Sequence, residues 1–242
     1  VMTYNIGFGA YDHEYSFFMD KGKMKSGEIV QGKYGKARSK ESVEKNTAGA
    51  ISIIEEYKPD FCIMQEVDIA STRSHFVDQK AVITKNAEYS YNYGNNFHSG
   101  YLCYPRSDPH GSVEAGLLSL SKYHISKALR RSYPITTDFF AKFFDLDRCF
   151  VAMRIPTDNG KELVLINSHL SAYDEGGTIR KQQFEMLRDY ISEEYESGNY
   201  VIVGGDFNHA LGGTVGIFAS EQEVPEWVSV MSDEDIPENF TL

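Results

Sequence analysis

The sequence predicts an α/β protein whose strands end in polar, chemistry-bearing residues. Three observations predict it. Short apolar runs end in polar side chains four times: residues 1–6 at Asn5, 61–64 at Glu66, 163–166 at His169, and 200–203 at Asp206 and Asn208. Two amphipathic helical patterns each lead directly into one of these runs, as in the second half of an α/β unit. Aromatic residues make up 13% of the chain, with 16 Tyr and 15 Phe, which favours strands over a helical bundle.

The remaining composition narrows the classes. At 242 residues the chain makes one large domain or two small ones, and one domain over 1–242 is expected. The balance of 41% hydrophobic and 24% charged residues is that of a globular protein. No apolar run approaches the roughly 20 residues of a membrane span, and no signal peptide is present. The chain opens inside a strand, from which an upstream segment is expected. A net charge of −11 argues against a protein that coats nucleic acid. It leaves room for an enzyme that meets a phosphate through a local patch and a metal ion. Cys62, Cys103 and Cys149 have no metal-type spacing, and Cys62 and Cys149 read as buried thiols.

Taken in order, residues 1–6 form a strand that ends at Asn5, either as an Asx turn or as a site residue. Residues 7–40 read as a long irregular loop. Between Lys21 and Lys40 it holds seven basic residues against Glu28, and is either phosphate-facing or simply solvated. Residues 41–57 form a helix with Ser39 as N-cap, its stripe Val43, Thr47, Ala50, Ile51, Ile54 and Tyr57, and Pro59 beyond its end. A buried strand over 61–64 then delivers Gln65, Glu66 and Asp68. Residues 69–109 resist assignment.

Strands are expected over 113–123 and 125–135. An aromatic stretch, Phe139, Phe140, Phe143 and Phe144, is a substrate-side wall, a partner-side wall or core. Residues 148–155 and 162–167 form a hairpin across Asp158-Asn159-Gly160. A second helix over 178–196 buries Phe184, Leu187, Ile191 and Tyr195 and stops at Gly198. Tyr200 to Val203 reads as a fully buried strand, followed by Gly204-Gly205-Asp206-Phe207-Asn208. Residues 221–238 carry seven acidic residues and no basic one, and read as exposed loop.

The strand tips fit together chemically. Glu66 offers an anionic oxygen, and Asn5 and Asn208 offer amides, a donor set suited to Mg²⁺ or Mn²⁺. Such an ion polarises a phosphoryl oxygen. His169 can donate a hydrogen bond to a non-bridging oxygen, more strongly if protonated. Asp206 can orient and deprotonate water, with Asn208 fixing its geometry or binding the phosphate. Arg148 is either a partner of the site carboxylates or a structural ion-pair residue. Arg180 and Gln183 could reach substrate or occupy an exposed helix face. His75, His98, His110 and His124 read as structural, and His209 as a loop residue.

Thr3-Tyr4-Asn5-Ile6, Gln65-Glu66-Val67-Asp68, Asn167-Ser168-His169-Leu170 and Gly204-Gly205-Asp206-Phe207-Asn208 together resemble the endonuclease/exonuclease/phosphatase family. The resemblance implies the DNase I-like fold, a four-layer α/β sandwich of two mixed β-sheets flanked by helices. It implies Glu66 as the Mg²⁺ ligand with Asn5 beside it, and His169, Asp206 and Asn208 as catalytic residues. It also implies hydrolysis of a phosphate ester, in a nucleic acid, a lipid head group or a small molecule. The residues around Tyr4 to Tyr11 and His169 to Tyr173 resemble a bacterial subgroup. Its members often carry an upstream membrane anchor, so an extracytoplasmic location is favoured over a cytoplasmic one. Nothing points to a protein partner.

One departure stands against this. The family pattern ends in Ser-Asp-His on a last strand, and no Ser-Asp-His occurs in this sequence. C-terminal strands are therefore expected to be missing, with an exposed sheet edge. The competing expectation is a non-catalytic module that keeps a phosphate pocket.

Overall fold

A computed structural model of the chain describes residues 1–85, 87–135, 147–172, 175–217, 219–225 and 228–242. In chain order its elements are β1 (Met2–Asn5), β2 (Lys21–Lys23), β3 (Ile29–Gln31), α1 (Lys40–Tyr57), β4 (Phe61–Asp68), α2 (Gln79–Thr84), β5 (Ser90–Leu102) and β6 (Gly111–Ser121). There follow β7 (Lys127–Ser132), β8 (Cys149–Pro156), β9 (Glu162–His169), α3 (Thr178–Glu196), β10 (Tyr200–Asp206), β11 (His209–Leu211) and β12 (Ser229–Met231).

The two main sheets have the same plan. The first runs β1-β4-β6-β5 and the second β10-β9-β8-β7. Each has one parallel pair at an edge, β1 with β4 and β10 with β9, and antiparallel pairs elsewhere. A parallel pair needs a crossover, and α1 and α3 supply the two crossovers. Both helices follow from their sequences. Ser39 and Ser42 form a reciprocal cap at the start of α1, and Lys58 closes it in the left-handed region at φ 43°. Gly198, at φ 86°, donates its N–H to the Tyr195 carbonyl where α3 stops.

Strand periodicity explains the four layers. Along β4, Phe61 and Ile63 face the second sheet, while Cys62 and Met64 face α1. Along β9, Leu165 faces the first sheet, and Val164 and Ile166 face Leu187, Tyr190 and Ile191 of α3. A central strand buried on both faces reads as a continuous apolar run, as these do. Each such residue contributes about 1.5–3 kcal/mol on burial. The layers are therefore α1, first sheet, second sheet and α3, the sandwich expected from the sequence. The hairpin of β8 and β9 also forms as expected, with Gly160 at φ 80° in its turn.

One polar clip crosses the apolar layer between the sheets. Gln65 Nε2 donates to Asn167 Oδ1 at 2.8 Å, and Asn167 Nδ2 reaches the Met64 carbonyl at 3.1 Å and the Leu118 carbonyl at 3.2 Å. Both side chains are buried, so these bonds are costly to lose. They lock the two sheets in one alignment and bring their strand tips to the same end.

Several expectations need correction. Tyr200 to Val203 is not fully buried. Tyr200 is 48% exposed and the rest of β10 is half-buried, because β10 is an edge strand. β1 is also an edge strand, with Thr3 exposed and the rest half-buried. Tyr57 and Tyr195 are exposed, and Tyr190 takes the buried place on α3. The strands expected over 113–123 and 125–135 are β6 and the shorter β7. Residues 69–109 hold α2 and β5. The segment 7–39 is built around Phe8, Ala10, Tyr15 and Ala37, packed on Val43 and Val77. Its cations are partly paired: Lys23 with Glu223 at 3.0 Å, Lys36 with Asp108 at 2.9 Å, and Arg38 with Asp12 and Glu14. Residues 221–223 run antiparallel beside β2, with Met24 opposite Gln222. Phe139, Phe140, Phe143 and Phe144 lie outside the described residues. Among the described residues no helix is long and apolar enough to cross a membrane.

His110 is buried against the rings of Phe8 and Phe17, and its Nδ1 meets the Gly35 carbonyl. Burial, with the nearby Arg73 charge, pushes its pKa down to about 3. The unfolded chain takes up this proton near pH 6.5, and the folded chain resists it. Full stability is thus present above pH 6.5 and falls by about 1.4 kcal/mol per pH unit below it, until the folded pKa is reached. Urea unfolding of wild type and His110→Gln at pH 7.5, 6 and 5 measures this. The wild type is expected to lose roughly 2 kcal/mol more than the variant between pH 6.5 and 5. Parallel pH profiles would refute the assignment.

Candidate active site

Four strand tips from both sheets converge. Asn5 ends β1, Glu66 lies near the end of β4, His169 ends β9 and Asp206 ends β10. Asn5 opposes Gln65 in register, and His169 opposes Asp206. The β4–β6 register shifts between Met64 and Val67, and Glu66 sits there at φ 54°. A non-glycine residue in the left-handed region is strained, and such strain concentrates at functional sites. The irregularity takes Glu66 out of the ladder and frees its side chain.

The centre is a single amide. Asn5 Nδ2 donates to Glu66 Oε1 at 3.2 Å and to Asp206 Oδ2 at 2.8 Å. Asn5 Oδ1 accepts the Gly7 N–H at 2.9 Å, which fixes the orientation of the amide. A flipped amide would set its oxygen against two carboxylates. Asn5 therefore turns its nitrogen, not its oxygen, to the acid pair, and a ligand role for Asn5 would need the amide to turn over. Asp206 Oδ1 accepts the Asn208 N–H at 2.9 Å. Asn208, left-handed at φ 50°, ties its Nδ2 to the Leu170 carbonyl at 2.8 Å. Both Asp206 oxygens are thus held.

His169 is 2% exposed, and its Nε2 stands 3.8 Å from Asp206 Oδ2. Its Nδ1 has no hydrogen-bond partner among the described residues. Burial, reinforced by Arg148 and Arg73, holds its pKa well below the ordinary imidazole value against the pull of Asp206. The ring is neutral at physiological pH, so the stronger, protonated donor expected from the sequence is not its resting form. Burial raises Asp206, but His169, the Asn5 amide, the Asn208 N–H and Arg148 outweigh it, and its carboxyl is held ionised. Glu66 is raised, first by burial and also by Asp206, against Arg73, Asn5 and Arg148.

Two carboxylates drawn to one donor, one of them disfavoured as an anion, suit a hard divalent cation, which would relieve both the burial and the repulsion. Among the described residues no group of three or more His, Cys, Asp or Glu is assembled as a metal cage.

Other site residues fall as follows. Arg148, half-buried ahead of β8, acts on Glu66, His169 and Asp206, and its Nη1 donates to Asn96 Oδ1 at 3.4 Å. Arg180 and Gln183 do not occupy an exposed helix face; both are buried. Gln183 accepts the Ser171 N–H at 2.8 Å and donates to the Pro134 carbonyl at 2.8 Å, holding the loop that follows His169. Arg180 directs Nη2 to Ser229 Oγ at 3.4 Å. His98 is exposed and pairs with Glu114 at 2.7 Å. His209 Nδ1 meets the Phe207 carbonyl at 2.6 Å. Sequence reasoning missed Arg73, which grips both Asp68 oxygens at 3.0 and 2.8 Å and lies 4.1 Å over the Phe8 ring. Nothing in Thr72-Arg73-Ser74 signals this, because its partner is fixed by tertiary packing.

The sequence profile of the Endonuclease/Exonuclease/phosphatase family matches residues 2–220. Among solved structures, ANGEL2, a 2′,3′-cyclic phosphatase, superposes with a TM-score of 0.56 at 15% identity, over 88% of this chain and 53% of that chain. The human Nocturnin catalytic domain with bound sulfate has a TM-score of 0.50 at 18% identity, over 68% and 57%. TDP2 from C. elegans has a TM-score of 0.50 at 19% identity, over 69% and 44%. At these identities the likeness concerns the fold. The chain spans about half the length of the solved structures it matches. No curated protein matches it.

Gly205 sets the approach of Asp206. Its φ is +143°, and a Cβ there would stand 1.9 Å from the Ser168 carbonyl oxygen. At Gly204 the nearest atom is the Ile63 Cδ1 at 2.6 Å, the movable end of a side chain. Gly205→Ala is expected to cost about 2–4 kcal/mol, and Gly204→Ala less. Urea midpoints measure both, and equal losses would contradict the distinction.

Proposed function

Because the chain belongs to the Endonuclease/Exonuclease/phosphatase family, we propose that it is a Mg²⁺- or Mn²⁺-dependent phosphoesterase that hydrolyses a phosphodiester or phosphomonoester by in-line attack of water. One observation carries this reading: carboxylates from two different sheets, Glu66 and Asp206, meet on the Asn5 amide beside the buried His169. Glu66 is the residue that would hold the ion. The bound ion supplies positive charge to the phosphoryl oxygens as negative charge builds on them.

The chain's own residues do the rest. Asp206, held ionised and fixed through both oxygens, accepts a proton from the attacking water. Asn5 and Asn208 set the direction of that carboxylate in advance, so little reorganisation accompanies the transfer. His169, neutral and unpaired at Nδ1 among the described residues, can donate one N–H to a phosphoryl oxygen. Arg148 adds a positive charge that acts on Glu66, His169 and Asp206. The net charge of −11 and the paired cations of residues 21–40 favour a small or terminal phosphate ester over a long polyanion. A non-catalytic phosphate-binding module is the second reading.

Release of p-nitrophenol from bis-p-nitrophenyl phosphate and from p-nitrophenyl phosphate, with Mg²⁺ and with EDTA, separates the two. The expected outcome is Mg²⁺-dependent release. Glu66→Ala, His169→Ala and Asp206→Ala should each lower kcat by roughly 10²–10⁴ while leaving the unfolding transition in place. Variants that turn over at the wild-type rate would sink the assignment, and an inert wild type would favour the binding module.

A further inference from the structure

Strand β5 contains a bulge that meets Arg148. Asn95 opposes Gly116 and Phe97 opposes Ala115, so Asn96 is the extra residue in the ladder. Bulges bend a strand and re-aim a side chain, often beside active sites. Asn96 is polar yet 3% exposed, which calls for specific partners. Its Oδ1 accepts from Arg148 Nη1 at 3.4 Å, and its Nδ2 faces Cys149 Sγ at 4.0 Å.

The bulge itself is pinned from the other sheet. The Asn95 carbonyl accepts from Arg130 Nε at 2.7 Å and from Cys149 Sγ at 3.4 Å. The same Arg130 guanidinium donates to the Asp147 carbonyl at 2.7 Å. One cation on β7 therefore holds both the bulge and the residue just before Arg148. Asn95 Nδ2 adds a bond to Glu114 Oε1 at 2.6 Å. Burial raises the Cys149 thiol to about 11, so it keeps its proton and can donate. Asn96 is thus presented to Arg148 by a frame with little freedom of its own.

We propose that Asn96 is a positioning residue: through its amide oxygen it holds the Arg148 guanidinium toward the phosphoryl group of a bound ester. The proposal rests on the phosphoester reading of that site. Asn96 touches no substrate; it limits the conformations of a long side chain whose charge already acts on Glu66, His169 and Asp206. An ordered arginine gives up less rotamer entropy when the phosphate arrives.

The test uses binding of inorganic phosphate in the presence of Mg²⁺, measured by calorimetry, alongside steady-state kinetics. Asn96→Leu is expected to weaken phosphate binding about tenfold, the equivalent of one charge-assisted hydrogen bond, and to raise KM more than it lowers kcat. Asn96→Ser, a milder change that is too short to reach Arg148, should move in the same direction. In an Arg148→Met background, Asn96→Leu should add nothing. The proposal is overturned if Asn96→Leu and Asn96→Ser bind phosphate like wild type, if the losses add in the double variant, or if the wild type binds no phosphate. A wild type that hydrolyses no ester but shows this binding pattern would defeat the hydrolytic reading and support the role of Asn96.

Discussion

The amide of Asn5 is the constraint on which the site depends. It is the last residue of an edge strand in one sheet, and it donates to carboxylates from both sheets. Two acids facing one small volume repel, and burial adds to the cost of Glu66. A shared donor offsets part of that cost and sets a geometry that repulsion alone would undo. Its own orientation is fixed by the Gly7 N–H, so the first turn after β1 belongs to the site as much as the strand does.

That arrangement needs both sheets in one register, and the Gln65–Asn167 clip supplies it. An apolar interface tolerates sliding, because dispersion and burial are weakly directional. A pair of buried amides does not, since any shift leaves donors unmet at about 1–3 kcal/mol each. The clip lies one residue before Glu66 and two before His169, so the tips are aligned where alignment matters. Strain is kept close by: Glu66 and Asn208 are left-handed, Glu66 at the irregularity within β4 and Asn208 two residues beyond the end of β10.

Local patterns made much of this legible. The Ser39 cap, the periodicity of α1 and α3, the Asp158-Asn159-Gly160 turn and the four polar tips each depend on a few neighbouring residues. What failed was non-local. The apolar run at Tyr200 to Val203 reads the same at an edge as at a centre, and only pairing with β9 alone distinguishes them. The polarity of Arg180 and Gln183 points to solvent or substrate, yet both are buried. Gln183 is buried because the loop after His169 needs partners for its backbone. Asn96 gave no signal because a bulge exists only relative to the strand opposite. Arg73 was silent for the same reason, as Asp68 and Phe8 come to it through the fold.

The distribution of charge explains how an acidic chain can be arranged to receive an acidic ligand. Arg73 is spent on Asp68, and their pair is nearly neutral at a distance while still biasing Glu66 and His169 at short range. Of the remaining site groups, Glu66 and Asp206 set a negative floor, and Arg148 sets one positive wall. Such a floor repels phosphate until a divalent cation sits on it, after which floor and wall attract together. On the phosphoesterase reading proposed above, affinity for the ester is tied to prior occupancy by the ion, since the same carboxylates that exclude a free anion are those that recruit the cation. The neutral His169 fits this balance: a further fixed positive charge would weaken cation binding, whereas a neutral donor adds a hydrogen bond without it.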